Sequence, residues 1–257
     1  TKTGSKLAVI SEKKDIIRLK QVDLDKHTTT KNNIIKFKRI YGADFTNNPN
    51  LMVVSGQNKG QTDLYLYNTA NTNATQLNND IYDDLNPVSV NWNGNEAVLF
   101  SSNRTENKFY LEAIDTVLPT HTLNLFYYDL SKRGTDLIQV TETPFANEKP
   151  IGNYNEKYLT FLSDENGISN QYVATIDSFY VGKDSVELYI NEFTDSSKLV
   201  KQEIDKYVWK GTSFPISNFS KSKICFSILK GLIATIFSNL LGCKINISFP
   251  FLSHFRR

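Results

Sequence analysis

A repeated strand pattern is the feature that most limits the folds open to this chain. Four segments alternate apolar residues and end in serine, at Ser11, Ser55, Ser102 and Ser163. Successive serines lie 44, 47 and 61 positions apart. Alternation with a period of two buries one face of a strand and exposes the other. The sequence therefore predicts four copies of one strand-based unit.

Each copy continues in a similar way after its serine. A short polar turn leads into a second, aromatic or apolar strand, and in the later copies these strands span residues 63–68, 124–129 and 170–177. Two prolines, Pro87 and Pro150, then mark the approach to the next serine-terminated strand. Several strands in a unit of about 45 residues are typical of a propeller blade.

The predicted fold is all-β, a partial β-propeller of about four blade-like repeats within residues 1–220. The predicted blades lie near residues 5–44, 45–86, 87–149 and 150–215. A β-sandwich also strings short strands between turns and is the competing fold. The in-register copies favour the propeller, because a sandwich does not require its strands to repeat as one unit.

These repeats carry a family resemblance. The run from Pro87 to Arg104 with strand 124–129, and the run 150–167 with strand 172–177, resemble the WD-like repeat of TolB-type propellers. The resemblance covers roughly residues 5–180, and the family's usual Ser-Pro-Asp-Gly turn survives only as Asn93-Gly94. It implies a six-bladed propeller that acts as a non-enzymatic, protein-binding scaffold in the bacterial periplasm or cell envelope. With about four blades, either closure is incomplete or further blades lie outside this chain.

The alternative function is an accessory propeller of a prolyl-oligopeptidase-like hydrolase whose catalytic domain is absent from this chain. Such a domain needs a Gly-x-Ser-x-Gly nucleophile elbow. The nearest match, residues 211–215, lacks the second glycine. His27, His121 and His254 have no metal-ligand spacing, and no glycine pattern for a dinucleotide or phosphate is present. We therefore predict no catalytic residue, cofactor or metal.

Polar residues in two segments are the candidates for contact with a protein partner. The predicted partner-binding residues are Arg104, Asp83, Asp84, Asp164 and Glu165. Two other interpretations of the carboxylates remain open: they hold a cation, or they accept hydrogen bonds from turn backbone. The aromatic residues pose a similar choice between a binding surface and a core between facing sheets. We favour the core for Trp92, Tyr65, Tyr67, Phe126, Tyr127 and Tyr128.

The charge distribution separates the end of the chain from the rest. The formal net charge is +2, which gives no reason to expect nucleic acid as a partner. Asp205 is the last acidic residue, and both cysteines, Cys225 and Cys243, follow it. The first 224 residues thus carry no disulfide framework. The chain begins at Thr1 without a methionine or an apolar leader, which suggests a fragment of a longer protein.

Residues 221–257 form an apolar, basic tail with three open interpretations. The stretch from Ile224 to Leu241 contains a single charge, Lys230, and is about long enough to cross a bilayer. A central lysine costs about 2.5–3.5 kcal/mol on insertion, so membrane contact is not favoured. The stretch is otherwise a buried or interfacial helix, or the tail is non-native sequence. Before the tail, residues 185–193 and 199–209 predict further strands.

Overall fold

The computed structural model describes residues 1–58, 60–110, 119–132, 134–190 and 198–217. In these stretches the regular secondary structure is entirely β, in four antiparallel sheets, which confirms the all-β prediction. They hold no helix long and apolar enough to cross a membrane. The predicted tail, with the stretch from Ile224 to Leu241 and both cysteines, lies outside the described residues.

Each sheet is built from strands that follow one another in the chain. The first contains β1 (Lys6–Lys13), β2 (Ile16–Asp23) and β3 (Thr28–Ile34). The second contains β4 (Arg39–Phe45), β5 (Leu51–Asn58), β6 (Gln61–Asn68) and β7 (Ala74–Gln76). The third contains β8 (Asp84–Trp92), β9 (Asn95–Ser102), β10 (Asn124–Asp129) and β11 (Ile138–Gln139). The fourth contains β12 (Glu148–Tyr154), β13 (Tyr158–Ser163), β14 (Asn170–Ile190) and β15 (Lys198–Pro215).

The sheets begin earlier in the chain than the predicted blades. Strand β4 pairs with β5, from Arg39 opposite Gln57 to Phe45 opposite Met52. Residues 39–44, which the sequence grouped with the first unit, therefore belong to the second sheet. The first sheet is left with three strands. The serine motif marks the second strand of the later sheets, and it gives no signal for the strand that precedes it.

Three apolar layers join the four sheets, in the face-to-face order of neighbouring blades. The layer between the first two sheets includes Ile17, Leu19, Phe45, Tyr65 and Tyr67. The layer between the second and third includes Val53, Leu64, Phe100, Phe126 and Tyr128. The layer between the third and fourth includes Leu99, Leu125, Tyr127, Phe161 and Tyr172. The core interpretation of the strand aromatics is confirmed, and Trp92 packs against the last layer while partly exposed.

Side-chain direction corrects the alignment of the repeats by one residue. Val53 packs toward the third sheet and Leu99 toward the fourth, so these two positions are equivalent. Ser55 and Ser101 follow them by two residues, and each donates to the backbone oxygen of the first residue in the next sheet, at 2.5 and 2.6 Å. The sequence had matched Ser55 with Ser102. A slip of one residue in a strand exchanges its two faces.

The first strands of the complete sheets lie side by side. Strand β8 lies beside both β4 and β12. Gly42 of β4 faces the kink at Asn86 and Pro87, where an added Cβ would come within 2.9 Å of the proline Cδ. The Asn153 side chain donates to the carbonyl oxygen of Asn91 at 2.5 Å. These contacts hold the first strands of the second, third and fourth sheets next to one another in chain order.

A two-stranded arm extends from the fourth sheet. Strand β13 pairs with β14 only as far as Ala174, whereas β14 and β15 remain paired to Ile190 opposite Lys198. We call the unsupported part, residues 177–190 and 198–210, the arm. At ~3.3 Å per residue it is roughly 45 Å long. The predicted strands at residues 185–193 and 199–209 fall largely within this arm.

Candidate functional site

The same hydrogen-bond motif occurs in each of the last three sheets, between the third strand and the segment that leaves the sheet. The third strand of each of these sheets carries a polar residue at or near its start: Asp63, Asn124 or Asn170. The backbone N–H of the next residue donates to a polar side chain of the outgoing segment. The three acceptors are Asn78 Oδ1 at 2.9 Å, Thr141 Oγ1 at 2.9 Å and Ser217 Oγ at 2.8 Å.

The same polar residues also bind the outgoing segment. Asp63 Oδ1 accepts from the backbone N–H of Asp80 at 3.3 Å, and Asn124 Oδ1 accepts from that of Thr143 at 2.8 Å. Polar side chains thus tie each sheet to the connection that leads to its neighbour. We call the regions between the second and third sheets and between the third and fourth sheets the first and second junctions.

Arg104 is the centre of the first junction. Its Nη2 donates to both carboxylate oxygens of Asp84 at 2.7 Å and lies 3.4 Å from Asp80 Oδ2. Its Nε donates to Ser102 Oγ at 3.0 Å, and its Nη1 donates to the backbone oxygen of Lys108 at 2.7 Å. The Arg104 side chain is 0% exposed. Every nitrogen of the guanidinium therefore has a partner inside the protein.

Aromatic rings enclose this guanidinium. The Arg104 Cζ atom lies 5.0 Å from the ring centroid of Phe109 and 5.1 Å from that of Tyr82. Phe100 and Phe126 lie at 5.7 and 5.8 Å. Cation–π attraction strengthens when the cation is removed from water. The rings both exclude water and stabilise the charge.

The first junction holds more carboxylates than cations. Burial raises the pKa of Asp84 to about 6, although the Arg104 guanidinium opposes this shift. Burial raises the pKa of Asp63 to about 7, and the neighbouring carboxylates of Asp80 and Asp84 add to the effect. Burial alone would lower the pKa of Arg104, but Asp84 and Asp80 raise it above its usual value. The arginine stays charged, and Asp63 is protonated more readily than Asp84.

Glu148 occupies the position in the second junction that Asp84 occupies in the first. Glu148 pairs with Ser163 across β12 and β13, as Asp84 pairs with Ser102 across β8 and β9. Its partners are hydroxyl groups: Thr141 Oγ1 donates to one carboxylate oxygen and Thr143 Oγ1 to the other. Burial raises the pKa of Glu148 to about 7.

The five predicted partner-binding residues divide between interior and surface. Arg104 and Asp84 lie inside, because their opposite charges pair under the aromatic rings. Asp83 and Glu165 are exposed, and Asp164 is half-buried. Asp164 Oδ1 accepts from the Asn147 backbone N–H at 2.6 Å, in a turn of the fourth sheet far along the chain from Asp83. The structure brings together the buried pair and does not gather the surface carboxylates with it.

An exposed aromatic surface lies at the base of the arm. Tyr180 and Tyr207 stand opposite each other on the two strands, with ring centroids 5.7 Å apart. Trp209 lies on the same face and meets Trp92 of the third sheet at 5.9 Å, nearly perpendicular. Tyr180, Tyr207 and Trp209 are 55%, 54% and 46% exposed. We call these four residues the aromatic stripe.

Sequence reasoning missed the arm surface and half of the junction network. Asp63 and Asn78 are buried in the first junction and Glu148 in the second, and none was among the predicted site residues. The sequence signal for the junctions was the polar residue at the start of each predicted aromatic strand, such as Asp63 and Asn124. Among the described residues, no group of three or more His, Cys, Asp or Glu side chains is arranged to hold a metal ion.

Comparison with known proteins identifies the fold. No family model and no curated protein sequence matches the chain. TolB from Acinetobacter baumannii is similar in structure, with a TM-score of 0.50 and 13% sequence identity over 80% of this chain. The tricorn protease matches at a TM-score of 0.42 with 14% identity, over 66% of this chain and 17% of its own. A puromycin hydrolase matches at a TM-score of 0.45 with 10% identity, over 66% and 25%.

The chain spans 52% of the length of the TolB structure. In the described part of this chain, consecutive antiparallel sheets pack face to face, and the first strands of the later sheets lie side by side. The chain has the TolB-like β-propeller fold, and its described residues form a partial propeller of three four-stranded sheets and one three-stranded sheet.

Proposed function

We propose that this chain is a non-enzymatic scaffold of the bacterial cell envelope that binds a protein partner through the aromatic stripe. The observation that carries the proposal is the exposure of Tyr180, Tyr207 and Trp209 together on one face of the arm. Large exposed apolar surfaces mark interaction sites, and tyrosine and tryptophan are the residues most enriched at the centres of protein interfaces.

The geometry of the arm supports the same proposal. A two-stranded ribbon cannot bury either of its faces by itself, and isolated hairpins are marginally stable in water. On the opposite face from the stripe, Phe179 and Ile204 are each 46% exposed. A partner that covers the stripe would stabilise the arm as well as bind it. The periplasmic or envelope location is proposed from the resemblance to TolB-type propellers.

The buried network has a supporting part in this proposal. Arg104 and Asp84 do not reach the surface, so we assign them to holding the second and third sheets together. Asp83, Asp164 and Glu165 remain proposed polar contacts at the rim of a partner surface. No contact among the described residues favours the alternative, an accessory propeller of a hydrolase.

Site-specific photo-crosslinking in the source bacterium tests the proposal. A photoreactive phenylalanine analogue replaces Tyr207, and the matched control carries it at Leu24, which is similarly exposed in the turn after β2. We expect one defined protein adduct from position 207 and none from position 24. Identical adducts from both positions would contradict a specific site.

A binding measurement with the crosslinked protein, once purified, completes the test. Trp209→Ala and Tyr207→Ala are expected to weaken its affinity at least tenfold each, about 1.4 kcal/mol, as for interface residues that dominate binding. Leu24→Ala should leave the affinity unchanged. Equal affinities for all variants would refute the stripe as the site, and a hydrolase as the crosslinked protein would favour the alternative function.

A further inference from the structure

The second junction contains a buried carboxyl that lacks the cation present at the first. Asp84 and Glu148 occupy equivalent places, since each begins the first strand of its sheet and accepts a serine hydroxyl on its backbone oxygen. Asp84 is paired with Arg104, whereas no described lysine, arginine or histidine forms an ion pair with Glu148. A carboxylate without a counter-charge is costly to bury.

The groups that face Glu148 do not replace that cation. Hydroxyls of Thr141 and Thr143 donate to it from the preceding connection. Glu165, in the turn after β13, disfavours its ionised form. The Tyr172 hydroxyl of β14 is a neutral neighbour whose own pKa is raised, by burial first and also by Glu165 and Glu148.

The remaining charged groups around this position lie at the surface or carry negative charge. Asp164 contacts the chain at Asn147, next to Glu148. The charged residues nearest to Glu148 along the chain are Glu142 and Lys149, and both are exposed. The strands β9 and β10 contribute neutral groups, the Ser101 hydroxyl and the Leu125 backbone N–H.

Residues 140–147, which we call the junction loop, are fastened by this carboxyl and by three backbone N–H groups. The N–H of Val140 donates to Leu125 O at 2.8 Å, and that of Glu148 donates to Leu123 O at 2.9 Å. The N–H of Thr143 donates to Asn124 Oδ1 at 2.8 Å. The Glu148 side chain adds two hydrogen bonds, one with each threonine hydroxyl of the loop.

The junction loop also contacts the base of the arm. Gly211 of β15 lies so close to the carbonyl oxygen of Val140 that an added Cβ would overlap it. Val140 is buried in the layer between the third and fourth sheets. A loop that leaves its place would therefore remove the contact that positions β15 against the third sheet.

We propose that Glu148 is a pH-sensitive latch: its protonated form holds the junction loop closed, and its ionisation favours a locally open loop. The sign follows from burial. A carboxyl that is harder to ionise in the closed state stabilises that state at low pH, and this stabilisation is lost as the pH rises through the range between its open-state and closed-state pKa values. At the first junction the equivalent carboxyl, Asp84, keeps its charged partner Arg104.

Amide hydrogen exchange of the full chain tests the latch, since it measures local opening directly. The protection factors of the Thr143 and Glu148 amides are expected to fall up to about tenfold per pH unit between pH ~5 and 7, and then to level. The Leu19 amide of the first sheet is the reference: it reports the pH dependence of larger unfolding events, to which Asp63 also contributes. The fall at Thr143 and Glu148 should exceed the fall at Leu19, and equal pH profiles at the three amides would overturn the proposal.

Two substitutions identify the group that titrates. Glu148→Gln should make the protection factors of the junction loop independent of pH, while Glu142→Gln, at an exposed neighbour, should keep the original profile. A step that survives in Glu148→Gln overturns the proposal. If that variant does not fold, Thr143→Val removes one donor to the carboxylate and should extend the fall above pH 7; an unchanged profile would then count against the latch.

Discussion

Arg104 and Asp84 form a buried ion pair in which one guanidinium nitrogen lies 2.7 Å from both carboxylate oxygens. The arginine comes from the segment after β9, and the aspartate is the first residue of β8. Both side chains are fully buried. This pair fixes the start of β8 relative to the segment that follows β9.

Breaking this ion pair should destabilise the protein strongly. Arg104→Met leaves Asp84 and Asp80 as buried carboxylates without their cation, and we expect a loss of about 3–5 kcal/mol in the free energy of unfolding. Urea titration followed by circular dichroism measures it. Asp83→Asn, at the exposed neighbour, should change stability by less than about 0.5 kcal/mol. A loss below about 1 kcal/mol for Arg104→Met would show that the pair carries little of the stability.

Asp63 should make stability depend on pH in a defined direction. Its pKa in the folded protein is raised to about 7 from an ordinary value of 3.8, so the ionised form is disfavoured by folding. The resulting stabilisation is complete below pH ~4 and is lost as the pH rises toward 7, by at most about 1.4 kcal/mol per pH unit.

Asp63→Asn should therefore flatten the pH dependence of unfolding between pH ~4 and 7. Glu148 and Asp84 contribute with the same sign, so the quantity of interest is the difference between variant and parent at each pH. That difference should grow in favour of the variant as the pH rises. Asp25→Asn, in the exposed turn between β2 and β3, is the control. A pH-independent difference for Asp63→Asn would contradict the assignment.

Two buried tyrosine hydroxyls should be dispensable. The Oη atoms of Tyr67 and Tyr127 are buried and have no hydrogen-bond partner among the described residues. An unpaired buried hydroxyl costs about 1–3 kcal/mol. We expect Tyr67→Phe and Tyr127→Phe each to raise the melting temperature, with a gain of about 1 kcal/mol. Tyr158→Phe, at an exposed ring, should have no effect, and destabilisation by either buried substitution would reveal a missing partner.

Gly211 should tolerate no side chain. An added Cβ would overlap the backbone carbonyl of Val140, and neither backbone can move without separating the third and fourth sheets. We expect Gly211→Ala to destabilise the protein by about 1–3 kcal/mol, the usual cost of overpacking. Gly152→Ala is the matched control, because a Cβ there meets nothing within 4 Å. Equal thermal stability of the two variants would exclude this contact as a constraint.

The sequence predicted the architecture better than the register. Periodicity identified strands and repeats because both depend on local alternation, which is readable in segments such as Leu51–Asn58. It could not fix which face each repeat turns toward its neighbour, and Ser55 was matched with Ser102 instead of Ser101. Both serines of the pair end the same strand, so the motif itself does not distinguish them.

The site was harder to predict because its chemistry depends on pairing between distant segments. Asp84 and Arg104 are charged residues that the sequence alone places most naturally at the surface. Their burial follows from rings contributed by Phe100, Phe109 and Phe126, which only the fold assembles. The arm was missed for the opposite reason: its strands alternate like those of any sheet, and nothing in them shows that no third strand of the described residues pairs with them.

The two strands of the arm continue from β14 and β15, which are neighbours in the fourth sheet. The length of the arm can therefore change without a change in the sheet. Adding one residue to each strand keeps the pairing but turns every residue beyond the addition to the opposite face. Adding two residues to each strand restores the faces and lengthens the ribbon by ~7 Å. The reach of this protein can therefore be altered in paired steps beyond Tyr180 and Tyr207 without changing a single contact between the sheets.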